Sequence, residues 1–306
     1  MVVHSEVLGG ARRATAGAVV LAYLHEHVDR LITCGRGVRS DAPGAVHDMR
    51  VATRRLRSTL ATYRPLLHRE QTDPVRAELK WLGQALGRPR DAEVMHQRLL
   101  ALAAALPDDL DLGPTRDHLD NELTGRHRAA LADLHQVLDS DRYLRLLDAL
   151  EDLVTHPRLT PRAGDRARNQ IPTLVGHVAR RVDRSARAVT NTTPQAQDQG
   201  LHEVRKHAKR ARYAAESAVP VAGKPARRLA TRMTSLQTVL GKHQDSVTAQ
   251  ALLLEMTRGE HLPAELGFAL GVLYAQERVC ADDAHRAYPR VLRRTSTAKV
   301  RRWTTR

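Results

Sequence analysis

Two segments of the 306-residue chain repeat one pattern of histidine and cationic residues. In the first, His47, Arg50, Arg54 and Arg57 follow one another at intervals of three, four and three residues. In the second, His202, Arg205, Lys209 and Arg212 repeat those intervals unchanged. On an α-helix this spacing confines the four side chains to an arc of roughly 80° and spreads them along roughly 15 Å. Arg55 and Arg210 flank the stripes at matching positions, and Lys206 adds charge to the second. Arginine presents a planar fork that takes two oxygens at once, and lysine supplies a mobile point charge, so these residue types suit phosphate. A histidine in so positive a field is expected to be neutral near pH 7 unless a phosphate raises its pKa, and it can donate one ring N–H to a phosphate oxygen.

A single basic stripe reads most simply as a solvated helix face. Solvated faces, however, mix signs so that Glu and Lys at i,i+4 support each other, and like charges at that spacing destabilise the helix. Here each stripe is unbroken positive charge, and Asp48 and Glu203 lie to one side. The same unfavourable arrangement occurs twice, which points to an anion that relieves it. If the two stripes face each other they line one groove, which Arg76, Lys80, Lys224, Arg228 and Lys242 on neighbouring helices could widen.

Composition agrees without choosing the anion. The formal net charge is +15 and the pI about 10.7, which predicts attraction to nucleic acid, an acidic membrane surface or a phosphate polymer. Aromatic residues make up only 3% of the chain, so Leu and Ala carry the apolar load, as in packed helices. Cys34 and Cys280 stand in no spaced motif and read as buried free thiols of a reducing compartment. None of the 16 histidines forms an HxxxH or HExxH pair, so no metal site and no cofactor are expected. The N-terminal residues show no signal peptide, and the apolar run Leu99 to Leu106 is far too short to span a bilayer. A soluble cytoplasmic protein is the expectation.

The elements that must carry the stripes are helices. Period 3.6 runs through almost every segment between breakers, at roughly 12–34, 43–68, 73–87, 91–106, 114–138 and 141–155, then 166–190, 197–218, 224–241, 245–258, 263–285 and 286–294. The chain also repeats itself. His47-Asp48-Met49-Arg50 matches His202-Glu203-Val204-Arg205 at an offset of 155, and Val28-Asp29-Arg30 matches Val182-Asp183-Arg184 at 154. Leu86-Gly87 with Asp91 matches Leu240-Gly241 with Asp245, again at 154. Gly87 and Gly241 are expected to end helices in a left-handed turn, with Asp91 and Asp245 capping the next, as scaffold rather than chemistry. The fold predicted is all-α, a duplicated unit of two pseudo-symmetric helical bundles over 1–155 and 156–306, divided near Pro157 to Gly164. The basic tail, Arg293-Arg294 and Lys299 to Arg302, reads as a disordered end with weak extra anion attraction.

The segments Val46 to Arg57 and Leu201 to Tyr213 resemble the two signatures of the CHAD family, the conserved histidine α-helical domain, and the likeness extends over nearly the whole chain. The resemblance implies a single CHAD domain over 1–306, built of two antiparallel helical bundles around a basic central cavity. It implies binding of inorganic polyphosphate and, in some members, association with polyphosphate granules or the enzymes that metabolise polyphosphate. Carried over residue by residue, the binding positions are His47, Arg50, Arg54, Arg55, Arg57, His202, Arg205, Lys206, Lys209, Arg210 and Arg212. Many members carry a CYTH triphosphatase domain ahead of this one; this sequence has no room for one, so no catalysis is expected.

Two rival readings share the electrostatics. A nucleic-acid backbone binder would use the same charge, but no aromatic stacking platform lies among the stripe residues. A histidine phosphoacceptor would use His47 or His202 as nucleophile, though doubled, extended stripes suit a polymer better.

Overall fold

The computed structural model describes residues 14–106, 113–189, 194–258 and 262–305. Helix α1 (Ala16–Arg39) starts where the Thr15 hydroxyl accepts the N–H of Ala18. It runs on through Gly35, whose missing Cβ leaves room for the Tyr143 hydroxyl, so the expected break there falls later, at Ser40. Gly44, at φ 77°, makes the left-handed turn that launches α2 (Ala45–Thr62), the first stripe helix. There follow α3 (Arg69–Ala85), α4 (Gly87–Ala104), α5 (Gly113–Leu138) and α6 (Asp141–Thr155). The second half gives α7 (Ala167–Ala188), the second stripe helix α8 (Pro194–Ser217), and a short α9 (Val219–Ala222). Two long helices, α10 (Lys224–Met256) and α11 (Ala264–Thr295), and a short α12 (Ala298–Arg301) complete it. The expected all-α fold is the one observed; among the described residues there is no strand, only two isolated bridges.

Three sequence expectations are corrected. The segments 224–241 and 245–258 are one helix, and so are 263–285 and 286–294, with Pro289 inside α11. Neither Gly87 nor Gly241 has a positive φ, and Gly241 lies inside α10, so Asp245 caps nothing. One glycine costs a helix only about 1 kcal/mol relative to alanine, too little to stop a packed one. The C-terminal residues are docked, not loose: Val300 and Thr304 are buried, and Arg301 pairs with Asp183 and donates to the Ala179 carbonyl.

The core explains why the stripes face outward from it. Met49, Ala52, Leu56, Leu60 and Tyr63 are each at most 2% exposed, so α2 buries the side opposite its cations. On α8 the same role falls to Val204, Ala208, Ala211 and Ala215, and their small size accompanies the packing of α8 against α2, α7 and α10. The main core takes residues from both halves, from Ala16 to Val300. A second core joins Met95, Leu99 and Ala103 of α4 and Leu119 and Leu123 of α5 to Leu253 of α10 and Leu270 and Leu273 of α11. The Pro157 to Gly164 segment is pinned to the first half: the His68 N–H donates to the Arg158 carbonyl and the Thr160 N–H to the Leu66 carbonyl.

A buried ion pair crosses the second core. Arg98 on α4 donates two hydrogen bonds of 2.6 Å to Glu277 on α11 and one of 2.7 Å to the Ser246 hydroxyl on α10. Glu277 is 1% exposed. Arg98→Ala, which strands that carboxylate, should lower unfolding stability by about 3–5 kcal/mol. Urea denaturation reads it, and a loss under about 1 kcal/mol would show that the pair does not bind the two halves together.

Candidate anion-binding site

Between α2, α3 and α8 lies an open cavity of about 480 Å³. Helix α2 contributes Arg54, Arg57 and Ser58; α3 contributes Asp73, Arg76, Ala77 and Lys80; α8 contributes Lys206, Lys209, Arg210 and Tyr213. Seven cations thus face one carboxylate, and that one is already engaged. Asp73 accepts from Arg64 at 2.5 Å and from Arg76 at 3.0 Å, which holds its carboxyl below the usual range. Lys206 is tied to Glu203 at 2.7 Å. Among the described residues, Arg54, Arg57, Lys80, Lys209 and Arg210 have no carboxylate partner.

The remaining stripe arginines are held as a frame around this cavity. Arg50 pairs with Asp91 at 2.8 Å and donates to the Gly87 carbonyl at 3.0 Å. Its counterpart Arg205 stands 4.0 Å from Asp245. A Cβ on Gly87 would lie 3.8 Å from the Arg50 guanidinium, and one on Gly241 would lie 3.5 Å from that of Arg205. The repeated Gly and Asp positions therefore hold the stripe arginines and belong to the site. Farther along, Glu216 joins the stripes, accepting from Arg55 at 3.0 Å and standing 3.4 Å from Arg212. Both guanidiniums lie over the Tyr213 ring. The residue matching Glu216 in the first copy is Ala61, so only the second copy supplies this acid.

The stripe histidines lie elsewhere. His47 lines a separate cavity of about 470 Å³ with Glu93, His127 and His135, and burial with the Arg90 charge lowers its pKa. His202 is exposed and sits 2.9 Å from the Gln244 side-chain oxygen. Of the outlying cations, Arg76 and Lys80 line the cavity, whereas Lys224, Arg228 and Lys242 are exposed on α10 and do not. Asp73, Ser58 and Tyr213 were not singled out from the sequence; the Asp73–Arg76 spacing of three residues was the one readable hint.

Crowded, half-buried cations show in their acidity. Burial, then Arg205, Arg54 and Arg50, push Lys209 down to about 7, with Asp245 opposing. Burial lowers Arg54 too, and its Nε is buried with no hydrogen-bond partner. Burial likewise lowers Arg57 and Arg210. Each of these groups would be stabilised in its charged form by an anion seated among them.

Fold and site together define an all-α protein whose repeated helices bring cations from both halves to one cavity. The CHAD domain family model matches residues 22–254, and the chain belongs to that family. A Mycobacterium tuberculosis relative, "Uncharacterized protein Rv2226", is 34% identical over 277 residues, covering 89% of this chain and 52% of that protein. The chain therefore spans about half the length of the curated relatives it matches. Among solved structures it is similar to PptA from Streptomyces chartreusis, at TM-score 0.77 and 23% identity, covering 92% of this chain and all of that one. The CHAD domain from the plant Ricinus communis matches at TM-score 0.69 and 25% identity, over 92% of this chain and 93% of that one. Among the described residues no helix is long and apolar enough to cross a membrane.

The Lys209 shift gives a signed prediction. An anion binds the charged amine better, so binding takes up a proton, and affinity falls as pH rises through about 7. Between pH 6 and pH 8 the fall should approach about tenfold for tripolyphosphate measured by calorimetry, and Lys209→Arg should flatten it. For the unliganded fold the sign reverses: the unfolded chain keeps this proton toward its ordinary 10.5, so Lys209 makes stability rise with pH above about 7.

Proposed function

We propose that this chain binds inorganic polyphosphate, without catalysing a reaction on it, in the cavity between α2, α3 and α8. The observation that carries this reading is the set of five cavity cations with no carboxylate partner among the described residues, drawn from both signature helices and α3. Arginine forks and a mobile lysine around an open cavity suit a flexible chain of phosphates rather than one fixed small anion. Membership of the CHAD family supports the same ligand, through the signature residues Arg54, Arg57, Lys209 and Arg210. His47 and His202 lie outside the cavity lining, which speaks against a histidine phosphoacceptor. Cytoplasmic residence, at polyphosphate granules or beside polyphosphate-metabolising enzymes, is the setting this reading implies. Nucleic-acid backbone is the competing ligand.

With five free cations engaged, the log–log dependence of affinity on salt should have a slope of about −3.5, taking about −0.7 per phosphate as for single strands. Arg54→Glu with Lys209→Glu should reduce polyphosphate affinity at least about a hundredfold with unchanged helical content, since repulsion replaces two contacts of roughly 1.5 kcal/mol or more each. Binding unchanged in the double variant, or RNA of matched charge displacing polyphosphate equally well, would overturn the assignment.

A further inference from the structure

Helix α7 packs against α8 and presents a second basic face. His177, Arg180, Arg181 and Arg184 are all exposed. They fall within an arc of roughly 100° along roughly 10 Å of helix. Among the described residues none of the three arginines has a carboxylate partner. The nearby acid on the same helix, Asp183, is occupied by Arg301 and the Ser296 hydroxyl. Helix α7 packs along α8, which carries cavity-lining Lys206, Lys209 and Arg210, and the Arg181 charge acts on Arg210 and on His207. The face continues along α7 to His177, whose pKa is lowered first by burial and then by the charges of Arg180, Arg162 and Arg181.

The internal repeat supplies a control for chance. At the offset of 154 residues, His177, Arg180, Arg181 and Arg184 match Tyr23, Glu26, His27 and Arg30 on α1. There His27 is 1% exposed, and Arg30 is neutralised by Glu26 at 2.8 Å. A general demand for solubility would charge both copies alike. Only the second copy carries the cationic face, and it lies on the helix packed against α8, which lines the cavity.

We propose that the exposed face of α7, His177, Arg180, Arg181 and Arg184, is a second phosphate-binding track that takes the part of a polyphosphate chain running out of the cavity beside Arg210. The proposal rests on the reading of the cavity as a polyphosphate site. A chain seated in the cavity holds its emerging end at high effective concentration over α7, so weak single contacts there add to affinity. Short chains end inside the cavity and gain nothing from the track. Polymer therefore leaves the protein on one side, along the second repeat.

The test is the triple variant Arg180→Glu, Arg181→Glu, Arg184→Glu in the full chain, with calorimetry on tripolyphosphate and on long-chain polyphosphate. All three residues are exposed, and circular dichroism checks that helicity is kept. Tripolyphosphate affinity should stay within about twofold, while long-chain affinity falls at least about tenfold and its salt slope becomes shallower by about 2. The corresponding triple lysine variant should keep long-chain affinity within about threefold. Unchanged long-chain affinity overturns the track and leaves the cavity standing. Equal loss for both ligands also overturns it, because it shows a diffuse field and no contiguous path. RNA binding that is lost in the triple variant while long-chain polyphosphate binding persists would assign the face to nucleic acid instead. Failure of the unaltered protein to bind either polyphosphate removes the cavity reading itself.

Discussion

The rest of the site depends on one constraint: positive charge is gathered in a half-buried place without enough negative charge to balance it. Water screens exposed cations well, and proximity between them costs little there. In the cavity between α2, α3 and α8 that screening is reduced, and the consequence is visible in a lysine pushed to about 7 and an arginine Nε with no hydrogen-bond partner. Folding must supply the energy to hold this arrangement. The main core does so, because α2 and α8 each bury an apolar side in it.

Charge is graded around the cavity. Arg50 is fixed by Asp91, Arg205 stands 4.0 Å from Asp245, and Gly87 and Gly241 keep space open beside both guanidiniums. Arg55 and Arg212 share Glu216 and lie over Tyr213. These paired arginines hold the geometry and contribute less net charge. Arg54, Arg57, Lys80, Lys209 and Arg210, left without such partners among the described residues, are the ones free to meet an anion. The repeats are also unequal in detail: Ala61 stands where the second copy has Glu216, and Ser58 where it has Tyr213.

Much of this was legible in the sequence. Helical class, the approximate helices and the placing of the stripes on helices follow from periodicity and spacing, because α2 and α8 obey simple amphipathic rules. Three things were not legible, each for a physical reason. Whether Gly241 ends a helix depends on what packs around it, and here the Arg205 guanidinium occupies the neighbouring space. A stripe arc of roughly 80° does not say which members point into a cavity and which toward a neighbouring carboxylate. The sequence offers Arg76 and Lys80 only among five outlying cations, and tertiary packing decides that these two, with Asp73, line the cavity on α3 while Lys224, Arg228 and Lys242 do not. The tail was misread for the same reason, since Arg301 gains its partner Asp183 from a residue 118 positions away.

The central claim is that the site stores unfavourable cation–cation repulsion which a polyanion relieves. Lys209→Met tests it most directly, because it removes one cavity charge while keeping an unbranched side chain of similar length. Thermal unfolding at pH 6, where Lys209 carries its proton, should be followed with and without long-chain polyphosphate. The account predicts a higher midpoint than the unaltered protein without ligand, together with a clearly smaller rise on adding polyphosphate. A lower midpoint without ligand, with the full ligand-induced rise retained, would contradict it.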